Sequence, residues 1–557
     1  MKQNKFPEVQ LLRKAKTAKE QHELLLQCSK QPIQNPVQLI GYHDALLFIL
    51  ANPFNEKNYR LAIDELNKLA GNLLKQNSKK SWINKLENSG LPYTTVYCQF
   101  GLSICLWLTR LFPGSVSPYS AGCSAEDAKQ VLLNLLPGIE FNQAINDKIY
   151  LWERIKQVAG FYKNEQALKW LLNSLNERTD INPALRDLLY DRLQVFVSWK
   201  LNDNLYSRSF LKIPVTRIYY CKENAIQSNN AFNRKGKYKL LTLTEEQKEN
   251  IVNKSKASLA LYLRETDPVS FANSTLLEVA DMGEGLQIAL FSMEKNRQLS
   301  LECYIGYMAF RNGLPIAYGG GWLFGHRCKI GINIFPPYRG KGSDSIFNHI
   351  LRLYKAHFDV QRFIVKPYQF GKDNPEGLKT GAFWFYYKLG FRPADQSIEQ
   401  LALNEWNKIT AGTRYRSPLS TLKKFTHCPM ELTIPGKTAI EIDAEKISKA
   451  VSAIIINEYH SSRQEAIKRG LARIISITHL NKKSNRLPVS QQNLENWGLI
   501  ILCIPEQTKW NEHQRKKLLE IIHQQSTGNE KAYQEAVNAH TFLCRLLKQT
   551  TDSISIR

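Results

Sequence analysis

Between Lys329 and His357 the hydrophobic pattern changes its period. Residues 329–335 alternate in the manner of a strand and end at Pro336-Pro337. The run Arg339-Gly340-Lys341-Gly342 follows, and apolar residues then recur at Ile346, Ile350, Leu353 and Tyr354, the spacing of one helix face. This is a strand, a Gly-rich turn carrying two basic residues, and a helix. Glycines at 340 and 342 allow positive φ and close backbone approach. The start of the helix presents free N–H groups and the positive end of its dipole. With Arg339 and Lys341 beside them, these groups make a cradle for phosphate. The plain alternative is an ordinary strand-to-helix turn whose basic residues face water.

The surroundings predict a sheet. From Leu276 to Pro336 the chain reads mostly as strands joined by short turns. Arg311-Asn312-Gly313 between the apolar runs Tyr304–Phe310 and Leu314–Tyr318 is a hairpin signal. Gly319-Gly320-Gly321 within this region marks a bulge or a close approach of ligand or backbone. A helix is predicted over Thr244 to Leu263, capped by Thr242 or Thr244, a strand over Arg362 to Val365, and an aromatic-rich helix over Gly377 to Leu389. The flanks look helical. Tyr59 to Leu74, Ala125 to Leu136 with Ser124 as cap, Gln166 to Leu175, Pro183 to Leu201 and Glu445 to Glu458 are helix candidates, and Trp497 to Ile504 reads as one short buried strand. The fold class is α+β. A helical region over 1–222 precedes a mixed α/β unit over 235–425, and a mainly helical region over 430–557 follows it.

Composition narrows the function classes. A chain of 557 residues with 43% hydrophobic residues has material for several cores. The ten cysteines are scattered without a C-x-x-C, so neither a zinc site nor a dithiol motif is indicated and reduced thiols in a cytoplasmic protein are expected. The N-terminal residues do not read as a secretory signal, and no apolar run approaches the roughly 20 residues of a spanning helix. Lys+Arg is 75 and Asp+Glu is 50, a net charge of 75 − 50 = +25, which suits an anionic partner such as a nucleotide-bearing cofactor, an acidic carrier protein or RNA.

A second segment pairs with the Gly-rich turn. Gly381-Ala-Phe-Trp-Phe-Tyr-Tyr-Lys-Leu-Gly-Phe-Arg-Pro393 is an aromatic helix closed by Gly390. Together the two segments resemble the GNAT acyltransferase superfamily, whose first motif is Q/R-x-x-G-x-G/A and whose second ends in F-Y-x-K-L-G-F. Arg339 and Gly342 match the first. Phe385, Tyr386, Lys388, Leu389, Gly390 and Phe391 match the second. The stretch is also similar to a subgroup of long, uncharacterised bacterial GNAT-like proteins. Two departures stand out. Asp344 occupies the last Gly/Ala position of the first motif, and Asn374 precedes Tyr386 by twelve residues where the superfamily often has an Asn at seven.

The resemblance implies an acyltransferase that uses acetyl-CoA or another acyl-CoA as co-substrate and an amine of unknown identity as acceptor. It implies cofactor contacts at Ile334, Phe335, Arg339, Gly340, Lys341, Gly342, Ser343 and Asn374. A backbone N–H near Ile334 or Phe335 would serve the oxyanion, and Tyr386 (with Tyr387 as fallback) would protonate the departing thiolate. His326, Glu278 and Asp281 are the candidates for general base, and Asn333 faces away from Ile332 and Ile334. Two other readings are an aminoacyl-tRNA-dependent transferase on the same fold and a degenerate, non-enzymatic binding module, which Asp344 favours.

Overall fold

The computed structural model describes residues 7–76, 82, 84–144, 149–202, 204–223, 238–340, 342–412, 415–435, 440–480 and 489–554. Its architecture is α+β. Four helices open the chain: α1 (Pro7–Leu12), α2 (Ala18–Lys30), α3 (Pro36–Ala51) and α4 (Glu56–Gln76). A lobe follows that contains a three-stranded sheet as well as helices. Strands β1 (Thr95–Cys98), β2 (Val116–Ala121) and β3 (Val195–Lys200) pair in the order β1-β3-β2. The region expected to be helical throughout therefore carries a sheet. The helix expected over Pro183 to Leu201 stops at Arg192, and the residues after it form β3, which buries Val195, Val197 and Trp199 at every second position.

The central sheet begins with β4 (Lys239–Leu240). Helix α5 (Glu245–Ala260) then starts at a capping box of Thr244 and Gln247, with Thr244 in the capping position the sequence predicts. The strands that follow are β5 (Glu278–Gly283), β6 (Leu286–Phe291), β7 (Cys303–Arg311), β8 (Leu314–Phe324), β9 (Arg327–Ile330) and the short β10 (Asn333–Ile334). Asn312 and Gly313 both have positive φ, 51° and 81°, which is the turn demanded between β7 and β8. Helix α6 (Ser343–Phe358) leads to β11 (Arg362–Val365). Helix α7 (Ala382–Lys388) leads to β12 (Arg392–Pro393). Helices α8 (Gln396–Thr410) and α9 (Leu419–Phe425) precede β13 (Met430–Thr433). The order is β12-β13-β11-β9-β8-β7-β6-β5-β4, with β10 also on β8, and β9 runs parallel to β11 with α6 between them in sequence. The aromatic helix expected over Gly377 to Leu389 is two pieces, Pro375–Thr380 and α7, hinged at Gly381 with φ 68°.

The triple glycine has a packing reason rather than a bulge or a ligand. A Cβ on Gly319 would stand 2.5 Å from Tyr307 Oη, on Gly320 2.5 Å from the Tyr304 ring, and on Gly321 2.6 Å from the Tyr354 ring. Three tyrosine rings lie on bare backbone.

Six helices close the chain: α10 (Ala444–Glu458), α11 (Arg463–Thr478), α12 (Gln491–Leu502), α13 (Glu512–Thr527), α14 (Glu530–Ala539) and α15 (Thr541–Ile554). The strand expected over Trp497 to Ile504 is instead the end of α12, started by Ser490 accepting the Asn493 N–H. Gly498 of α12 and Gly470 of α11 face each other so closely that either Cβ would meet the other backbone at 2.7 Å.

One continuous core joins α1 to α4, the central sheet and the C-terminal helices, while the lobe over 95–211 has a second core. The expected N-terminal region is thus split between these two cores and a small third one of Leu39, Leu73, Leu86 and Leu91. Helix α5 serves both: Ile251, Val252 and Leu259 face the first, and Ala257 and Ala260 the second.

The C-terminal helices dock through Glu530, 4% exposed, whose carboxylate accepts the Met293 N–H. Burial pushes this carboxyl from its ordinary 4.5 up to about 7, with the Met293 N–H opposing. The folded state holds a proton that the unfolded chain releases, so stability falls as pH rises from about 4.5 to about 7, by about 3 kcal/mol. Urea unfolding of Glu530→Gln is expected to show a gain in stability at pH 8 that is absent at pH 4.5. An equal change at both pH values would show the carboxyl ionised in the folded state.

Candidate functional site

The Gly-rich turn opens onto a cavity of about 1610 Å³ that Gly340, Gly342, Ser343, Asp344 and Ser345 help to line. Gly340 has φ 124° and Gly342, the residue before α6, has φ 95°. Both conformations favour glycine, so the turn could not be built with side chains here without strain. Lys341 lies outside the described residues.

Two groups of cations share the cavity. Arg352, Lys379, Lys388 and Arg416 line it on the side of α6 to α9. Arg13, Lys16, Lys222 and Arg311 line it on the side of α1 to α3. The carboxylates among the lining residues are Asp344 and Glu284. Eight cations to two carboxylates is a ratio of 4, against 75 to 50, or 1.5, for the whole chain. Aromatic faces accompany the charges. Trp384 and Trp406 stack with ring centroids 5.6 Å apart, and Lys388 Nζ lies 5.9 Å from the Trp406 ring.

The sheet parts in the segment that leads into this turn, and none of residues 331–335 lines the cavity. β9 pairs with β11 through Arg327, Cys328 and Lys329. Beyond Ile330 the chain leaves β11, while Asn333 and Ile334 pair with β8 at Tyr318 and Ala317. The Phe335 N–H donates to the Ile316 carbonyl at 3.0 Å, so it is taken. Ile334 alternates with it, and its N–H and C=O face away from β8; the carbonyl accepts Arg339 Nε at 3.1 Å. Of the two amides considered for an oxyanion, only that of Ile334 faces the parting. The kink at Gly331 is held by Tyr307, whose hydroxyl donates to the Gly331 carbonyl at 2.6 Å, and by the Gln369 side chain packed on the bare Gly331 Cα.

Tyr386 reaches the same place. Its ring is buried among Phe347, Phe370, Phe385 and Phe391, and its hydroxyl lies near the Ile332 N–H. Burial pushes its hydroxyl pKa upward, with the Ile332 N–H opposing, so the group keeps its proton across the physiological range. Tyr387, one residue on, is turned elsewhere: it stacks on Phe383, and the Arg392 guanidinium covers its ring at 4.1 Å. The geometry separates the two tyrosines that sequence left together.

Other candidates are dispersed. Arg339 is not a cavity residue; its guanidinium also binds Glu376 at 2.7 Å and braces the turn. The Ser343 hydroxyl donates to the Gly340 carbonyl at 2.8 Å. Asn374 caps the helix Pro375–Thr380 by accepting the Gly377 N–H at 3.1 Å, and donates to the Tyr368 carbonyl at 3.0 Å, which ties it to chain rather than ligand. Glu278 and His326 are placed away from the turn. Glu278 pairs with His357 at 2.7 Å, and His326 Nδ1 lies 3.0 Å from the Asp359 carbonyl, both at the far end of α6. From Ser343 to His357 that helix spans about 21 Å. Asp281 accepts the Gly283 N–H at 2.8 Å in a local turn, and Asn333 is exposed while Ile332 and Ile334 are half-buried.

Sequence reading did not find the cations of the second group or His349, which also lines the cavity from α6. Their positions range from 13 to 349 and leave no local signal. The structure also holds a serine, a histidine and an aspartate in line: His43 Nε2 is 3.0 Å from Ser209 Oγ, and His43 Nδ1 is 3.2 Å from Asp44. His43 is 0% exposed, and Asp44 is further engaged by Arg208, so this array ties segments together and offers no reagent to a substrate. Among the described residues no group of three or more His, Cys, Asp or Glu is placed to hold a metal ion, and no helix is long and apolar enough to cross a membrane.

Compared with known proteins, the chain matches no family model, no curated protein and no solved structure.

Proposed function

We propose that the protein is an acyl-CoA-dependent acyltransferase that moves an acyl group to an amine. The observation that carries this reading is a glycine turn at the start of α6 that lines a strongly cationic cavity, preceded in the chain by the strand parting where the buried Tyr386 lies. The ligand's phosphates lie against Gly342, Ser343 and Ser345, with Arg352, Lys379, Lys388 and Arg416 on the same side of the cavity offsetting their charge. Its acyl arm enters the parting in place of the Gln369 side chain. The amine nitrogen bonds to the thioester carbonyl carbon, and the Ile334 N–H stabilises the oxygen that gains charge. The C–S bond then breaks, the sulfur takes the Tyr386 proton, and the nitrogen gives up its own proton to water. The high pKa of a buried phenol keeps the donor loaded.

Asp344 works against phosphate and for the helix, standing in the first turn of α6 and in the cavity. Asp344→Asn is therefore expected to tighten acetyl-CoA about tenfold at low ionic strength, and less at high salt. Thermal shift at two salt concentrations reads this. Acetyl-CoA at 100 times its Kd should stabilise the wild-type chain by about 2.7 kcal/mol. Absence of any shift with acyl-CoA thioesters would overturn the reading.

A second reading, a binding module without turnover, draws on Gln369, which packs on Gly331 in the space the acyl arm needs. Stabilisation by acetyl-CoA without thiol release in the presence of a panel of amines would select it.

A further inference from the structure

The cavity has more wall than one acyl-CoA uses. Its second side, built by α1 to α3, the segment at 219–222 and the end of β7, carries Arg13, Lys16, Lys222 and Arg311 against the single carboxylate of Glu284. Arg13 is half-buried, and burial lowers its pKa from the ordinary value, against the pull of Asp44. Arg311 donates one nitrogen to Asn52 at 3.0 Å and leaves its buried Nε without a hydrogen-bond partner among the described residues. A desolvated guanidinium with a donor unspent is costly unless an anion arrives. Half-buried Phe48, Phe54 and Tyr219 stand among these cations on the same wall.

Cations and aromatic rings that line one recess together suit one class of polyanion better than others. A single-stranded nucleic acid brings phosphates for the guanidinium and ammonium groups and flat bases for the rings. An acidic peptide would satisfy the charges and leave the rings without a purpose. We propose that this side of the cavity binds the single-stranded end of an RNA. As an assignment of the acceptor this rests on the acyltransfer reading; as a binding site it stands apart from it.

The test is fluorescence anisotropy of the full chain with a labelled single-stranded RNA of about 12 nucleotides, at about 50 and 200 mM KCl, beside a poly-glutamate peptide of equal charge. Lys16 and Lys222 are exposed, so Lys16→Glu/Lys222→Glu leaves the core intact. Lys446→Glu/Lys468→Glu, on exposed positions of α10 and α11, is the charge-matched control. The cavity double variant is expected to bind RNA about tenfold or more weakly. Its salt dependence should flatten by about 0.7 in log–log slope for each phosphate that is no longer neutralised. The control should stay within about twofold, and acetyl-CoA should stabilise the cavity variant as it does the wild type. Equal weakening by both double variants, poly-glutamate binding as tight as RNA, or no RNA binding at all would overturn the proposal. RNA binding that passes these tests while acetyl-CoA fails to stabilise the wild type would uphold the site and remove the acyltransfer reading alone.

Discussion

Tyr386→Phe is expected to lower acyl transfer by about 10²–10⁴-fold, the range for loss of a positioned general acid, with KM for the acyl-CoA changed by less than about threefold. The split follows from where the hydroxyl stands. It meets the Ile332 N–H at the parting of the strands and is not among the residues that line the cavity. On the acyltransfer reading it serves the departure of sulfur and not the capture of phosphate. Thiol release under saturating and limiting acyl-CoA measures both quantities. The variant also removes a buried hydroxyl, so a melting curve accompanies the kinetics. Tyr387→Phe is the control. Its ring stacks between Phe383 and Arg392, and turnover should stay within about twofold of wild type. Wild-type turnover in Tyr386→Phe would take that residue out of the mechanism.

Gly319→Ala is expected to destabilise the fold by several kcal/mol through one added methyl group. The added carbon would stand 2.5 Å from Tyr307 Oη and 2.7 Å from the Gly331 carbonyl, the two partners of the bond that fixes the kink. Neither can yield easily, because Tyr307 is fully buried and Gly331 carries Gln369 on its other side. Overpacking of this kind costs about 1–3 kcal/mol, and loss of the hydrogen bond adds about 1 kcal/mol. Urea unfolding should report the sum. Because the kink aims the amides of Ile332 and Ile334, acyl transfer should fall further than stability alone explains. A variant as stable and as active as wild type would show that the kink is not held from Gly319.

Elements announced by local chemistry were legible in the sequence. Asn312-Gly313 set the hairpin, Ser124 and Thr244 set two helix starts, and Arg362 to Val365 formed a strand with those bounds. Elements decided by distant partners were not. The run from Val195 to Lys200 alternates in burial like any strand, yet it follows a helix so closely that the two read as one. The branched and aromatic residues of Trp497 to Ile504 look like a strand. What makes them helical is upstream, in the cap at Ser490, and across the interface, where Gly470 lets two backbones approach. The same division runs through the site. The turn at 340–342 and the tyrosine at 386 are local patterns, and they stand out along the chain. Glu278 and His326 sit on or beside strands of the right sheet but at the wrong end of α6, a distinction that register alone decides.

Helix α5 belongs to two cores, and its last turn has a mechanical meaning. Beyond Ala260 the chain continues into Tyr262, whose ring stacks on Phe335 at 4.6 Å and lies under the Arg208 guanidinium at 4.4 Å. Phe335 adjoins the amide of Ile334. The lobe over 95–211 therefore reaches the strand parting at Tyr262, and the Asp187–Arg297 ion pair and the Ser209–His43 contact fasten the same lobe to the rest of the chain, so that a load placed on the lobe is shared between the parting and these other ties.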